Sequence, residues 1–395
     1  MKRTKKSIVL ILIFCMAMCF GLSACGGGST DPGNDQPNTE DNQTVSAPEI
    51  EGLTFQSELE RDYATEFNVY TYEGGYKYFH IVDGDDFLLV PEGGTVPEGL
   101  DPEVTVLQAP VKNIYLAATA QMALFLSMGG EDSVRMTSLR QDGWTYDAPK
   151  VLMDEGKIVF AGKYSEPDYE MLLDEGCELA IESTMIYHTP EVQEMIEDLG
   201  IPVLVDRSSY ESNPVGRMEW IKFYGELIGK TDEAKAFFDQ QKAKVEAIED
   251  FENTEKTVAF FYISTDNKVI VRSSDDYIPT MIEMAGARYA FKDIVDETGK
   301  SNVPMTIEAF YDVAADVDYV VYNASIDSSV KTMADLLAKD PIMSQIKAVQ
   351  EGNCWSTGSS MYQRTDIAGD MIMDFHTLFT EDDPQDKLVY LSKLE

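Results

Sequence analysis

Residues 231–251, TDEAKAFFDQQKAKVEAIEDF, run without Gly or Pro and read as a single helix. Thr231 can cap it, and Asp232 and Glu233 occupy the first turn, where the helix dipole favours negative charge. Ala234, Phe237, Phe238, Val245, Ile248 and Phe251 recur at helical spacing, which gives one apolar stripe with charge elsewhere. At about 1.5 Å per residue such a helix spans about 30 Å, the width of a small domain. Alternating strand and helix patterns flank it on both sides. The chain therefore reads as two α/β lobes, 111–230 and 252–395, joined by 231–251.

Charge narrows the partners. The 395 residues carry 31 basic groups against 70 acidic ones, a net charge of −39. Such a field repels phosphate backbones and anionic headgroups, which argues against nucleic acid and against direct electrostatic binding to membranes. The N-terminus points to a covalent anchor instead. KRTKK precedes an apolar run over 8–20, too short and wrongly flanked for a permanent span, and then LSAC. Residues 1–24 read as a signal peptide. LSAC resembles a bacterial lipobox, which implies cleavage before Cys25 and lipidation of its thiol. Residues 25–52 are rich in Gly, Pro, Asn, Asp and Thr and poor in large apolar residues, so they read as a flexible tether. The expected location is the outer face of the cell membrane. Only Cys177 and Cys354 remain for the folded part, and both are expected to be free thiols.

After the tether, 67–72, 76–82 and 87–90 read as short strands broken by turn chemistry at Glu73-Gly-Gly and Asp83-Gly-Asp-Asp. The segment 53–110 is thus a small antiparallel meander, an addition to the two lobes. In the first lobe, strands are expected over 113–117, 134–138, 157–160, 178–181 and 202–205. Helices are expected over 121–128, from 162 to 175, over 191–199 and over 215–228. In the second lobe, strands are expected over 257–264, 268–271, 319–322 and 354–357, with helices over 280–285, 307–315, 333–339 and 365–379. Ligands of open α/β sheets sit beyond the carboxyl ends of strands. The polar loops of two facing lobes would then surround one cleft.

The order of three segments in the first half, VKNIYLAATAQMALFLSMGGEDSV, IVFAGKYSEPDYEMLLDEGCELAIES and EVQEMIEDLGIPVLVD, resembles the class III substrate-binding proteins of ABC importers. In the second half VIVRSSDDYIPTMIEMAGARYAFKD, MTIEAFYDVAADVDYVVY and DPIMSQIKAVQEGNCWS continue the likeness, which covers roughly residues 111–380. Cys177 and Glu178 depart from it, standing where the family has Pro-Asp. The resemblance implies two α/β lobes joined by one long helix. It also implies capture of an iron complex, a ferric siderophore first, with haem or cobalamin as alternatives, for delivery to an ABC permease and its ATPase. A monomer without a resident cofactor is expected.

The cleft candidates are Thr119, Tyr164, Met185, Tyr187, His188, Ser274, Tyr277, Asn323, Trp355, Tyr362 and Arg364. Aromatic faces and a few fixed polar groups suit an iron chelate, and Arg364 suits an anionic one. Met185, Tyr187 and His188 are the types that ligate haem iron. The three histidines, His80, His188 and His376, lie in distant segments, which argues against a His-rich metal site. Glu170 and Glu308 fall at matching positions of the two lobes, and the resemblance implies that they dock on permease arginines. Two rival classes stay open: a surface receptor or sensor with the same cleft, and a secreted hydrolase. No nucleophile elbow, H-E-x-x-H helix or P-loop supports catalysis.

Overall fold

A computed structural model of the chain describes residues 46–296 and 301–395. The signal segment 1–24, Cys25 and the tether up to residue 45 lie outside the described residues. Residues Ala47–Glu395 pack as one unit.

The N-terminal strands β1 (Phe55–Glu58), β2 (Phe67–Tyr72), β3 (Lys77–Ile81), β4 (Asp86–Val90) and β5 (Thr105–Gln108) form one sheet in sequence order. The meander expected from the sequence is antiparallel only as far as β4. Strand β5 pairs with β4 in parallel, because the Pro- and Gly-rich segment 91–104 is long enough to cross over.

The first lobe holds β6 (Ile114–Leu116), α1 (Met122–Ser127), β7 (Val134–Thr137), α2 (Asp147–Asp154) and β8 (Val159–Phe160). It continues with the hairpin β9 (Gly162–Lys163) and β10 (Glu166–Pro167), then α3 (Tyr169–Asp174), β11 (Ala180–Ser183), α4 (Pro190–Asp198) and β12 (Val203–Asp206). Its sheet has the order β12-β11-β6-β7-β8, all parallel. The helix expected from 162 starts only at Tyr169. Residues 166–167 pair back on 162–163, and the Asp168 side chain caps the helix by accepting from the Met171 N–H at 3.0 Å.

Two helices follow, α5 (Pro214–Ile228) and α6 (Thr231–Glu246). The helix expected over 231–251 thus ends at Glu246, and Thr231 is its first residue, with Lys230 at the capping position. Helix α6 lies along α5 and against α11 (Ala368–Thr380). Close approach needs glycines here. A Cβ on Gly225 would come 2.5 Å from the Ala234 methyl, and one on Gly369 would come 3.0 Å from the Gln241 carbonyl oxygen. Every residue of α5 is buried except Arg217.

The second lobe contains β13 (Thr257–Ile263), β14 (Val269–Arg272), α7 (Tyr277–Met284), β15 (Arg288–Tyr289), β16 (Asn302–Met305), α8 (Ile307–Ala314) and β17 (Tyr319–Tyr322). It closes with α9 (Met333–Lys339), α10 (Lys347–Glu351), β18 (Cys354–Thr357), α11 and β19 (Leu391–Lys393). The sheet order is β16-β14-β13-β17-β18-β19, with β15 also on β13. Its centre, β13, β17 and β18, is parallel, and its edges are antiparallel.

The N-terminal sheet is fastened to α5. Phe67 and Phe79 meet Trp220 and Phe223 edge-on, with ring centroids 4.9 to 5.3 Å apart. Each such aromatic pair adds about 0.5–1.5 kcal/mol beyond its buried area. Buried Glu219 accepts from the backbone N–H groups of Asp62, Tyr63 and Ala64 at 2.8, 2.7 and 2.7 Å. Glu211 does the same for Thr65 and Glu66. Two carboxylates on or just before α5 thus satisfy five consecutive amides of the turn leading into β2.

Candidate functional site

All five parallel strands of the first lobe end at one cavity of about 560 Å³. Ala117–Gln121 reach it from β6, Ser138–Arg140, Asp142 and Gly143 from β7, Phe160 and Tyr164 from β8, Ser183 and Met185 from β11, and Ser208 and Ser209 from β12. The place follows the rule for open α/β sheets, and the volume suits a small-molecule site.

Its charge is unusual for so acidic a chain. Among the described residues, Arg61, Arg135, Arg207, Arg272, Arg288 and Arg364 each pair with a carboxylate. Arg140 and Arg217 do not, and both line this cavity. Each is laid over an aromatic ring: Arg140 sits 4.2 Å from the centroid of Phe160, and Arg217 sits 4.1 Å from that of Tyr277. Arg217 also donates to the Ser209 carbonyl at 3.2 Å. Lys163, exposed at the rim, likewise forms no ion pair among the described residues.

The acid on the cavity floor is already engaged. Asp206 accepts from the Ser208 hydroxyl at 2.5 Å, the Ser208 N–H at 3.1 Å, Gln121 at 3.2 Å and the Tyr224 hydroxyl. Burial pushes its carboxyl up, against the pull of these hydrogen bonds and of Arg217. The arrangement therefore offers cations on aromatic supports to a ligand while occupying the carboxylate on the floor; a second lining carboxylate, Asp142, is exposed at the rim.

A second, narrow cavity of about 40 Å³ lies between the lobes. Arg217, Tyr277, Tyr362 and Arg364 line it, and Arg217 belongs to both cavities.

The expected residues divide accordingly. Thr119, Tyr164 and Met185 line the large cavity, and Tyr277, Tyr362 and Arg364 line the narrow one. Arg364 is bound bidentately by Asp366 at 2.7 and 2.8 Å, so its charge is spent within its own loop. Asn323 is buried and donates to the Tyr362 hydroxyl at 2.8 Å, which positions that ring. Trp355 is buried within β18 with Lys393 over its ring, and lines neither cavity. Tyr187 and His188 lie on an exposed helical turn away from both cavities, with the Tyr187 hydroxyl turned to Arg207. Ser274 is half-buried and also lines neither.

Glu170 and Glu308 are exposed, each two residues after the capping residue of its helix, Asp168 for α3 and Thr306 for α8. Cys177 and Cys354 are free, with burial pushing their thiols up to about 11 and about 12.

Arg140, Lys163 and Arg217 were not legible as site residues from motif order. One signal exists for Arg217: its helical neighbours Asn213, Pro214, Trp220 and Ile221 include no acid, so a helical arginine there has no local partner.

A parallel-sheet lobe with its strand ends around a cavity, backed by shared helices and a second α/β lobe, defines a cleft-type substrate-binding protein. The chain belongs to the family described as Periplasmic binding protein, which matches residues 118–360. Its helical-backbone class works with ABC permeases and is not enzymatic. An uncharacterized lipoprotein of Methanocaldococcus jannaschii is 24% identical, with 94% of this chain and 92% of that protein covered. The periplasmic haem-binding protein HutB of Vibrio cholerae shares the fold at a TM-score of 0.56 and 18% identity, covering 68% of this chain and 99% of that one. A protein of an ABC-type Fe3+-hydroxamate transport system from Saccharomonospora viridis does so at 0.52 and 18% identity, covering 69% and 94%. Among the described residues no helix is long and apolar enough to cross a membrane.

Proposed function

We propose that this protein captures an anionic iron chelate, a ferric siderophore first, and hands it to an ABC permease while anchored by the Cys25 lipid. One observation carries the reading: the two arginines without a carboxylate partner among the described residues both line the large cavity, each on an aromatic ring. Unpaired cations in a −39 chain are held in place by something other than local ion pairing. An anionic, partly aromatic ligand supplies the missing partner and the stacking surface. The Fe3+-hydroxamate relative supports the iron-chelate class.

Tryptophan quenching and calorimetry with a ferric trihydroxamate, a ferric triscatecholate, haemin and cyanocobalamin test it. Arg140→Ala and Arg217→Ala should each weaken binding of the ferric chelate by roughly tenfold or more, as for a charge-assisted hydrogen bond of about 1.5–3 kcal/mol. Binding of no ferric chelate, or affinity untouched by both substitutions, sinks the reading.

A second reading is haem. Tyr164 and Met185, both able to ligate haem iron, line the large cavity. Haem binding then gives a Soret band that shifts in Tyr164→Phe or Met185→Leu.

A further inference from the structure

The N-terminal sheet lines neither the large nor the narrow cavity, yet two of its turns meet one residue in a loop that lines the large one. Arg207 directly follows β12. Its Nε and Nη2 both reach the carboxylate of Glu66, in the β1–β2 connection, at 3.1 Å. Asp83, in the β3–β4 turn, adds a second carboxylate at 3.7 Å. At the far end of the loop, Glu211 accepts from the Thr65 N–H at 2.9 Å, and from the Thr65 hydroxyl and the Glu66 N–H at 3.0 Å. Residues 65–66 therefore grip the loop 207–211 at both of its ends.

What lies between those ends belongs to the site. Ser208 and Ser209 line the large cavity, and the Ser208 hydroxyl donates to Asp206 at 2.5 Å. The Ser209 carbonyl accepts from Arg217 at 3.2 Å and, with the Tyr277 ring, aims that guanidinium. A tight turn sets the direction of the carbonyl. The Tyr210 N–H donates to the Arg207 carbonyl at 2.8 Å and the Glu211 N–H to the Ser208 carbonyl at 3.2 Å. The Arg207 guanidinium lies 4.3 Å from the centroid of the Tyr210 ring, so its side chain closes the same turn. The first lobe holds the loop as well. Gln121 donates to the Ser208 hydroxyl at 2.7 Å, the Thr184 and Ser209 hydroxyls meet at 3.1 Å, and the Tyr187 hydroxyl bonds Arg207. The Arg207–Glu66 pair differs from these in being charged on both sides, with side chains only 11% and 16% exposed. Charge-assisted bonds are about twice as strong as neutral ones, and salt screens a sheltered pair little.

We propose that the N-terminal sheet sets the geometry of the binding cavity, with Glu66 as a positioning residue that acts on Arg217 through Arg207 and the 207–210 turn. The role rests on reading the large cavity as the ligand site. Glu66 itself does not line that cavity. It fixes the turn whose Ser209 carbonyl supports Arg217, so without it Arg217 keeps its charge and loses one of its two supports. The strand-rich addition to the two lobes is thus part of what determines ligand affinity, beyond covering α5.

Calorimetry with a ferric trihydroxamate, run beside urea denaturation, tests this. Glu66→Ala should weaken binding roughly three- to tenfold, less than removal of the Arg217 guanidinium itself. Glu66→Gln keeps an acceptor for Arg207 and should retain most of the affinity, and a loss there as large as in Glu66→Ala counts against the role. In an Arg217→Ala background Glu66→Ala should cost nothing further, because the two residues act in series. A Glu66→Ala protein that loses stability but binds as tightly as the wild type overturns the positioning role, and so does a double variant whose losses add. Hydrogen–deuterium exchange on the ligand-free protein needs no chelate. In Glu66→Ala the Tyr210 and Glu211 amides should exchange roughly tenfold faster, while those of 180–183 stay unchanged. If no ferric chelate binds, the proposed function falls, and exchange at 210–211 alone decides the positioning role: faster exchange upholds it and unchanged exchange overturns it.

Discussion

Glu219→Ala should unfasten the N-terminal sheet from the rest of the molecule. The carboxylate is fully buried and accepts three backbone N–H groups at 2.7 to 2.8 Å, and it holds Lys222 at 2.6 Å. Truncation leaves the Ala64 amide buried without an acceptor and the Asp62 and Tyr63 amides partly so. Each fully buried orphan costs about 1–3 kcal/mol. Lys222 is not abandoned, since Asp62 and the Glu60 carbonyl still hold it at 3.1 Å. That partial rescue puts the total at roughly 3–5 kcal/mol, the scale for breaking a buried pair. Gln in place of Glu keeps one acceptor and should lose less. Urea denaturation followed by fluorescence is the assay, because Trp220 adjoins the site and donates to Glu211 at 3.1 Å. A loss below about 1 kcal/mol for Glu219→Ala would refute the view that these carboxylates fasten the sheet.

Two other variants probe different parts of the chain. Glu182 in β11 is buried with both oxygens unpartnered, near Tyr115 and Tyr169, and burial pushes its carboxyl up to about 8. The native state keeps a proton there that the unfolded chain releases, so wild-type stability should fall as pH rises from about 4.5 to about 8, at up to ~1.4 kcal/mol per pH unit. Glu182→Gln should remove that part of the slope in denaturation curves taken across the range, and an unchanged slope would show that the carboxyl is ionised in the fold. Changing Glu170 and Glu308 together to Ala should spare chelate binding and abolish uptake in cells; normal uptake would remove their docking role.

Much of the fold was legible because strand patterns were strong where both faces are buried and helix patterns where one face is. Strand 319–322 and helix 333–339 fall where their patterns put them. The sequence was silent where partners are distant. Nothing local shows that 91–104 crosses over to make β5 parallel, or that 139–146 will be seated by a glutamine more than two hundred residues later. The site was half legible. Thr119, Tyr164 and Met185 follow from loops at strand ends, a position that can be counted along the chain. Trp355 is buried within a strand and lines neither cavity, whereas Arg364 lines the narrow one with its charge held by an acid two residues on, and residue type alone shows neither placement. Arg140 and Arg217 matter through what they lack, and a missing partner is visible only when every neighbour is placed.

Helix α5 is enclosed on every side but for Arg217, with the N-terminal sheet, α1 of the first lobe, and α7 and α11 of the second packed around it. No lobe can melt without baring part of it to water. Unfolding should therefore be a single cooperative event over 47–395, and isolated fragments of either lobe would carry a raw apolar face.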